Sequence, residues 1–289
     1  MAEITEQADE PAPPPTTTGP KLKLWREAIY IGLVYLAYST VRNRFGSAGG
    51  PAGHANGIAY GHALDVIHFE QHLGLFFEEH LQDWYLALPS AGLIQIWNIF
   101  YGTAHFIITA AALIALFVLN KDRYPLWRNT LAATTLIALV GFASFSLMPP
   151  RLLNASPEDY GPPAGSHPPA TFVDTLAEYP TFWSFDSGGL KTISNQYAAM
   201  PSLHTGWAMW SALVLIPLVK RKSLKALILL HPVATVFCII VTANHYWLDA
   251  GFGLVSLALG FAIASQLTSR WERRHERSAA TTAAAPMDL

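Results

Sequence analysis

The chain carries a series of apolar runs, each close to the length that crosses a bilayer, about 20 residues for roughly 30 Å of hydrocarbon. Six are read: residues 24–41, a run within 91–119, then 130–148, 200–219, 224–243 and 246–267. Backbone amides in hydrocarbon have no water to bond, so each run is expected to be a helix. Charged residues make up only 13% of the chain, against about 25% in soluble domains. The mean hydropathy is +0.27. The expected fold class is therefore all-α, a polytopic membrane protein with six transmembrane helices. A net charge of −2 gives no basic surface for nucleic acid.

Basic residues set the expected orientation. With six spans, fourteen of the 18 Lys and Arg residues fall on the side of the termini. The other side holds Arg42, Arg44, Arg151 and Lys191. The positive-inside rule then makes both termini cytoplasmic. Residues 1–20 are acidic and proline-rich, without the pattern of a cleavable signal, and are read as a disordered tail. Residues 21–272 are read as one membrane domain and 273–289 as a second disordered tail. The lone Cys238 has no intramolecular disulfide partner.

Two non-cytoplasmic segments are long. In 62–88 the apolar residues Leu73, Phe77, Leu81, Trp84 and Leu88 recur at helical spacing, with Asp65, Glu70, Glu78, Glu79 and Asp83 between them. This predicts one amphipathic helix, lying at the membrane surface or capping the bundle. His54, His62, His68, His72 and His80 are read as solvated or interfacial there. The second segment, 149–199, is rich in Pro and Gly, and loops of that length are usually functional.

Two histidines stand at the outer ends of expected spans. Pro201 suits the first turn of a helix, which would place Ser202, Leu203 and His204 at the start of the fourth span. Backbone amides and the positive dipole end favour a phosphate there. His245 and Asp249 are four apart and share a helix face. A carboxylate so placed can hold one ring nitrogen and leave the other to attack. Such a set suits two-step phosphoryl transfer, in which one histidine attacks phosphorus and the other handles protons. Arg151 is a planar donor for phosphate oxygens. Tyr101 and His105, four apart, line the lipid entry, pair with the surface helix or simply pack; Asn244 and Lys191 are further candidates to line the substrate. The same His204, His245 and Asp249 would also suit a zinc ion, and intramembrane ionisable groups also serve transporters. A catalytically silent membrane scaffold is a third reading.

Pro201, Ser202, Leu203 and His204, followed by His245 and Asp249, resemble the type 2 phosphatidic acid phosphatase superfamily. Within it they resemble the inositol phosphorylceramide synthase-like branch of lipid phosphotransferases. The resemblance implies His245 as nucleophile, Asp249 as its orienting carboxylate and His204 as general acid and base. It implies Ser202 and the amides after it, from Leu203 on, as phosphate binders. Pro149, Pro150 and Arg151 resemble the branch's first motif. No metal or cofactor is implied. The implied partners are a lipid in the bilayer, with a polar acceptor such as inositol or water, at the non-cytoplasmic face of the plasma membrane. Ser144, Ile239 and Leu203 stand where the wider superfamily has lysine, arginine and glycine; the synthase-like branch shares such departures. Lys191 is a substitute on charge alone.

Overall fold

A computed structural model describes residues 23–44, 54–89, 91–181 and 196–283. Among these the regular structure is helical: α1 (Leu24–Arg44), α2 (His54–His72), α3 (Glu78–Leu86), α4 (Ile94–Leu119), α5 (Tyr124–Ser144), α6 (Thr175–Glu178), α7 (Leu203–Leu215), α8 (Lys222–Val241) and α9 (Trp247–Ala283). A single bridge joins Leu147 to Ala198.

Among the described residues, four helices are long and apolar enough to cross a membrane: Ile94–Leu119, Tyr124–Ser144, Lys222–Val241 and the Trp247–Arg270 part of α9. These make the chain an integral membrane protein by length and composition. The first expected span, α1, falls below that mark. It carries Arg26 and Glu27 in its first turn and Arg42 and Arg44 in its last. The fourth, α7, has 13 residues and passes into a short 3-10 turn at Ile216–Leu218. Pro217 sits in that turn, and proline removes the amide a continuing helix would need. The third span starts earlier than expected because Pro125 opens α5. It ends at Ser144, where Leu147 leaves to bond the Tyr197 carbonyl at 2.9 Å. The last helix continues to Ala283, past the expected domain boundary at 272. The expected tail at 1–20, and the 284–289 part of the one expected at 273–289, lie outside the described residues.

The expected single amphipathic helix is two helices, α2 and α3, broken at Gly74, whose φ is +67°. Its two faces are mixed. Leu73, Phe77 and Trp84 are exposed and Glu70, Glu78 and Gln82 are buried, while Leu81 and Leu88 pack on the core and Asp65 and Asp83 are exposed. Three backbone groups explain the buried polar side chains. Leu248 N donates to Glu70, Trp247 N to Glu78, and Gln82 bonds the Val241 carbonyl. Buried amides left without partners cost more than exposed apolar surface next to lipid. His68, His72 and His80 are exposed as expected. His62 is not merely solvated: its Nδ1 meets the Ser146 carbonyl at 2.7 Å and its ring stacks on Phe145.

Small residues bring the central helices close. A Cβ on Gly260 would fall 2.5 Å from Thr134 Oγ1, and one on Gly253 would fall 2.3 Å from the Ser202 carbonyl oxygen. Glycine permits such approach between membrane helices. Thus α9 lies along α5 and against the first turn of α7. Trp210 and Trp207 fill the space between, bonding the Trp127 carbonyl at 2.9 Å and Thr135 Oγ1 at 3.1 Å.

Candidate active site

The chain enters α7 through Ser202 rather than Pro201. Pro201 lies before the helix, joined to Met200 by a cis peptide, so the expected place for proline in the first turn is corrected. Ser202 is the N-cap, and its Oγ accepts the Thr205 amide. Its own N donates to the Asp249 carbonyl at 2.9 Å. That bond fixes the start of α7 to the start of α9. His204 and His245 are thereby brought face to face, with ring centroids 5.5 Å apart and planes inclined at 64°.

His245 sits in the short link between α8 and α9. Its Nδ1 meets Asp249 Oδ2 at 3.1 Å, and the same carboxylate oxygen accepts the Tyr246 amide at 3.0 Å. Asp249, at the third position of α9, therefore reaches back to cap the helix and holds the imidazole in the same act. Asp249 is fully buried. With Nδ1 engaged, Nε2 of His245 is the nitrogen left over, and it has no hydrogen-bond partner among the described residues. Nε2 of His204 likewise has none.

Both rings line a cavity of about 130 Å³ with Tyr101, His105, Arg151 and Asn244. Tyr101 stacks on His204 at 4.4 Å, and His105 meets the same ring edge-on at 4.2 Å. The four-residue spacing in α4 thus places both beside the histidine pair. Asn244 holds Thr242 through its carbonyl and Oγ1. Of the expected phosphate binders, Arg151 lines the cavity, whereas Ser202 and Leu203 do not; Ser202 is spent as a cap. Lys191 lies outside the described residues.

Arg151 is positioned from both ends. Its backbone N donates to the Ala243 carbonyl at 2.7 Å, two residues before His245. Its guanidinium donates to Asp174 Oδ2 at 2.9 Å and to Gln196 Oε1 at 2.6 Å. Among the described residues lining the cavity, it is the one with a permanent positive charge. Ile239 is buried among Ile240 and Ala250, and Ser144 is exposed with its hydroxyl on the Val140 carbonyl. Neither supplies a second cation.

Gln196 carries no signal in the sequence, and Asp174 reads there as an ordinary loop aspartate or one that covers the site or binds a polar headgroup; in the structure it caps α6 through Leu176 N and Ala177 N. Tyr38 of α1, which has no signal in the sequence either, reaches the cavity wall. Among the described residues, no cluster of three or more His, Cys, Asp or Glu side chains is placed to hold a metal ion.

This arrangement can deliver a nucleophilic imidazole, a second imidazole for proton transfer and a guanidinium to one small anion. No curated protein and no solved structure matches the chain. A family model described as the PAP2 superfamily matches residues 64–263, which include Arg151, His204, His245 and Asp249. The chain belongs to the PAP2 superfamily and is an enzyme of its phosphatase and phosphotransferase kind.

Proposed function

We propose that the protein transfers a phosphate-containing group from a membrane lipid through a phosphohistidine on His245. The observation that carries this reading is the pair of imidazoles 5.5 Å apart with Asp249 behind one of them. Nε2 of His245 attacks phosphorus with its lone pair, and the bond from phosphorus to the leaving oxygen breaks. His204, in its protonated form, gives that oxygen a proton. An acceptor hydroxyl then yields its proton to His204, its oxygen attacks phosphorus, and the P–N bond breaks. Nδ1–H of His245 stays on Asp249, which stabilises the charge that forms on the ring. Arg151 takes two phosphate oxygens, and the amides at the start of α7 add dipolar attraction.

The lipid character of the substrate is supported by a second cavity. An apolar groove of about 210 Å³ runs between α1, α4 and α5. It shares Tyr38 and Phe106 with the histidine cavity, so a phosphate at His245 would continue into a hydrocarbon tail there. Arg128, paired with Glu27, closes the far end.

The acceptor in this reading is inositol or a similar polyol, as in the inositol phosphorylceramide synthase-like branch. The side chains at Ser144 and Ile239, shared with that branch, support it over simple hydrolysis. We read α1 and α7 as completing six crossings, with an interfacial α2–α3 pair. Both termini are then cytoplasmic and the cavity opens on the non-cytoplasmic side of the plasma membrane, in accord with the distribution of Lys and Arg.

The test is incubation of purified protein with a labelled phospholipid, with and without inositol. A labelled inositol phosphoester supports transfer; inorganic phosphate or phosphatidate hydrolysis alone would make water the acceptor. Full turnover by His245→Ala would overturn the mechanism.

A further inference from the structure

The turn that carries His245 and Asp249 is held from outside by two acids that the reaction does not use. Trp247 and Leu248 are the first two residues of α9, and their amides belong to the N–H groups that a helix cannot satisfy itself. Trp247 N donates to Glu78 Oε1 at 3.1 Å, from α3. Leu248 N donates to Glu70 Oε1 at 2.7 Å, from α2. Glu70 is 1% exposed and Glu78 is fully buried. The remaining oxygen of each, Oε2, is buried and meets no donor among the described residues. The two carboxyls take neighbouring amides of one turn, each with an oxygen to spare; a proton on one of them would let these oxygens meet as donor and acceptor, whereas ionised carboxylates only accept.

We propose that Glu70 and Glu78, joined by one shared proton, are positioning residues that clamp the turn bearing His245 and Asp249. The inference rests on the phosphotransfer reading only for its effect on turnover. Three carboxyls crowd one helix start: Glu70, Glu78 and Asp249. His245 and the Tyr246 and Tyr60 phenols are the other titratable groups in this surrounding. If all three acids were ionised, like charges in a buried space would repel. One shared proton halves the charge of the pair and leaves Asp249 free to remain the anion that His245 needs. The pair does so while still accepting both amides. In agreement, burial first, then the hydrogen bond and charge of Glu78, push the Glu70 carboxyl up to about 10.

Two measurements on the full chain test this. The first is the thermal midpoint of detergent-purified protein between about pH 6 and 9.5, which needs no substrate. An acid whose folded value lies above its ordinary value near 4.5 binds a proton in the folded state that it releases on unfolding. Its stabilising effect is complete at low pH and is lost as pH rises towards about 10. The midpoint of the unaltered protein should therefore fall with pH relative to that of Glu70→Gln, whose amide donates permanently to Glu78. Equal slopes would overturn the shared proton. The second is turnover. Glu70→Leu should lower kcat by about 100-fold, the scale of a small misplacement, with KM little changed, and Glu70→Gln should restore most of it. Wild-type kcat in Glu70→Leu, or equal damage in Glu70→Gln, would overturn the positioning role. If His245→Ala retains full turnover, the phosphotransfer reading falls, while the thermal comparison still decides the shared proton.

Discussion

Arg151 faces the cavity with its guanidinium already held by Asp174, Nη1 to Oδ2 at 2.9 Å. A phosphate that binds there must share the guanidinium with an existing carboxylate. Asp174→Asn removes the competing charge, and asparagine still serves as an N-cap for α6. Inhibition by inorganic phosphate should therefore tighten by about 3- to 10-fold, the effect of removing roughly 1 kcal/mol of charge competition. Arg151→Lys should act oppositely. An ammonium cannot make the planar two-oxygen contact, so kcat/KM should fall about 100-fold. Steady-state assays with phosphate as inhibitor check both.

The histidine pair separates two steps. Loss of Nε2 in His245→Ala should remove the acid-labile phosphoenzyme altogether. His204→Ala keeps the nucleophile but loses proton transfer, and should cut turnover by roughly 10²- to 10⁴-fold. The phosphoenzyme should accumulate in that variant when the leaving group is a good one, because an activated ester needs no proton on departure. Asp249→Asn should lose activity on a similar scale, since an amide can hold the wrong tautomer of His245. Rapid quench with labelled substrate distinguishes the three.

Much of this site could be read from spacing alone. His245 and Asp249, four apart, do meet, but not on one helix face: His245 precedes α9 and Asp249 reaches back to it, while Tyr101 and His105, four apart on α4, both fall beside the histidine pair. The four clear spans follow from length and hydropathy. What could not be read depends on where chain segments meet. Glu70 and Glu78 carried the pattern of a solvated face, because the interval was counted across Gly74, where the chain turns. Their burial follows from the amides of Trp247 and Leu248, some 170 residues away in sequence. Gln196 and Asp174 are likewise defined by Arg151 rather than by their neighbours. The extent of α7 was set by the capping of Ser202 and the turn at Pro217, which a hydropathy window averages away.

The apolar groove predicts a dependence on chain length. Ala132 lines it, with a buried side chain. A tryptophan there fills the groove, and overpacking costs about 1–3 kcal/mol. With a long-chain phospholipid, Ala132→Trp should raise KM about 10-fold or more. With a short-chain soluble phosphoester, which has no tail to place, kinetic constants should stay near those of the unaltered protein. Equal losses on both substrates would mean that the groove holds no tail.

Gly253 and Gly251 form a matched pair for the coupling between α7 and α9. A Cβ at Gly253 would approach the Ser202 carbonyl oxygen to 2.3 Å and its carbon to 3.3 Å, both backbone atoms. Backbone cannot rotate away as a side chain can, so the first turn of α7 must move. That turn carries His204, and the bond from Ser202 N to the Asp249 carbonyl would lengthen with it. Gly253→Ala should therefore cost about 1–3 kcal/mol and lower kcat by about 100-fold, with the fold retained. At Gly251 an added Cβ meets nothing within 4 Å, and alanine is the better helix former by nearly 1 kcal/mol. Gly251→Ala should match or slightly exceed the stability of the unaltered protein at unchanged turnover. Thermal midpoints and kcat for the two variants, taken together, measure how far the separation of the two imidazoles depends on this one close approach.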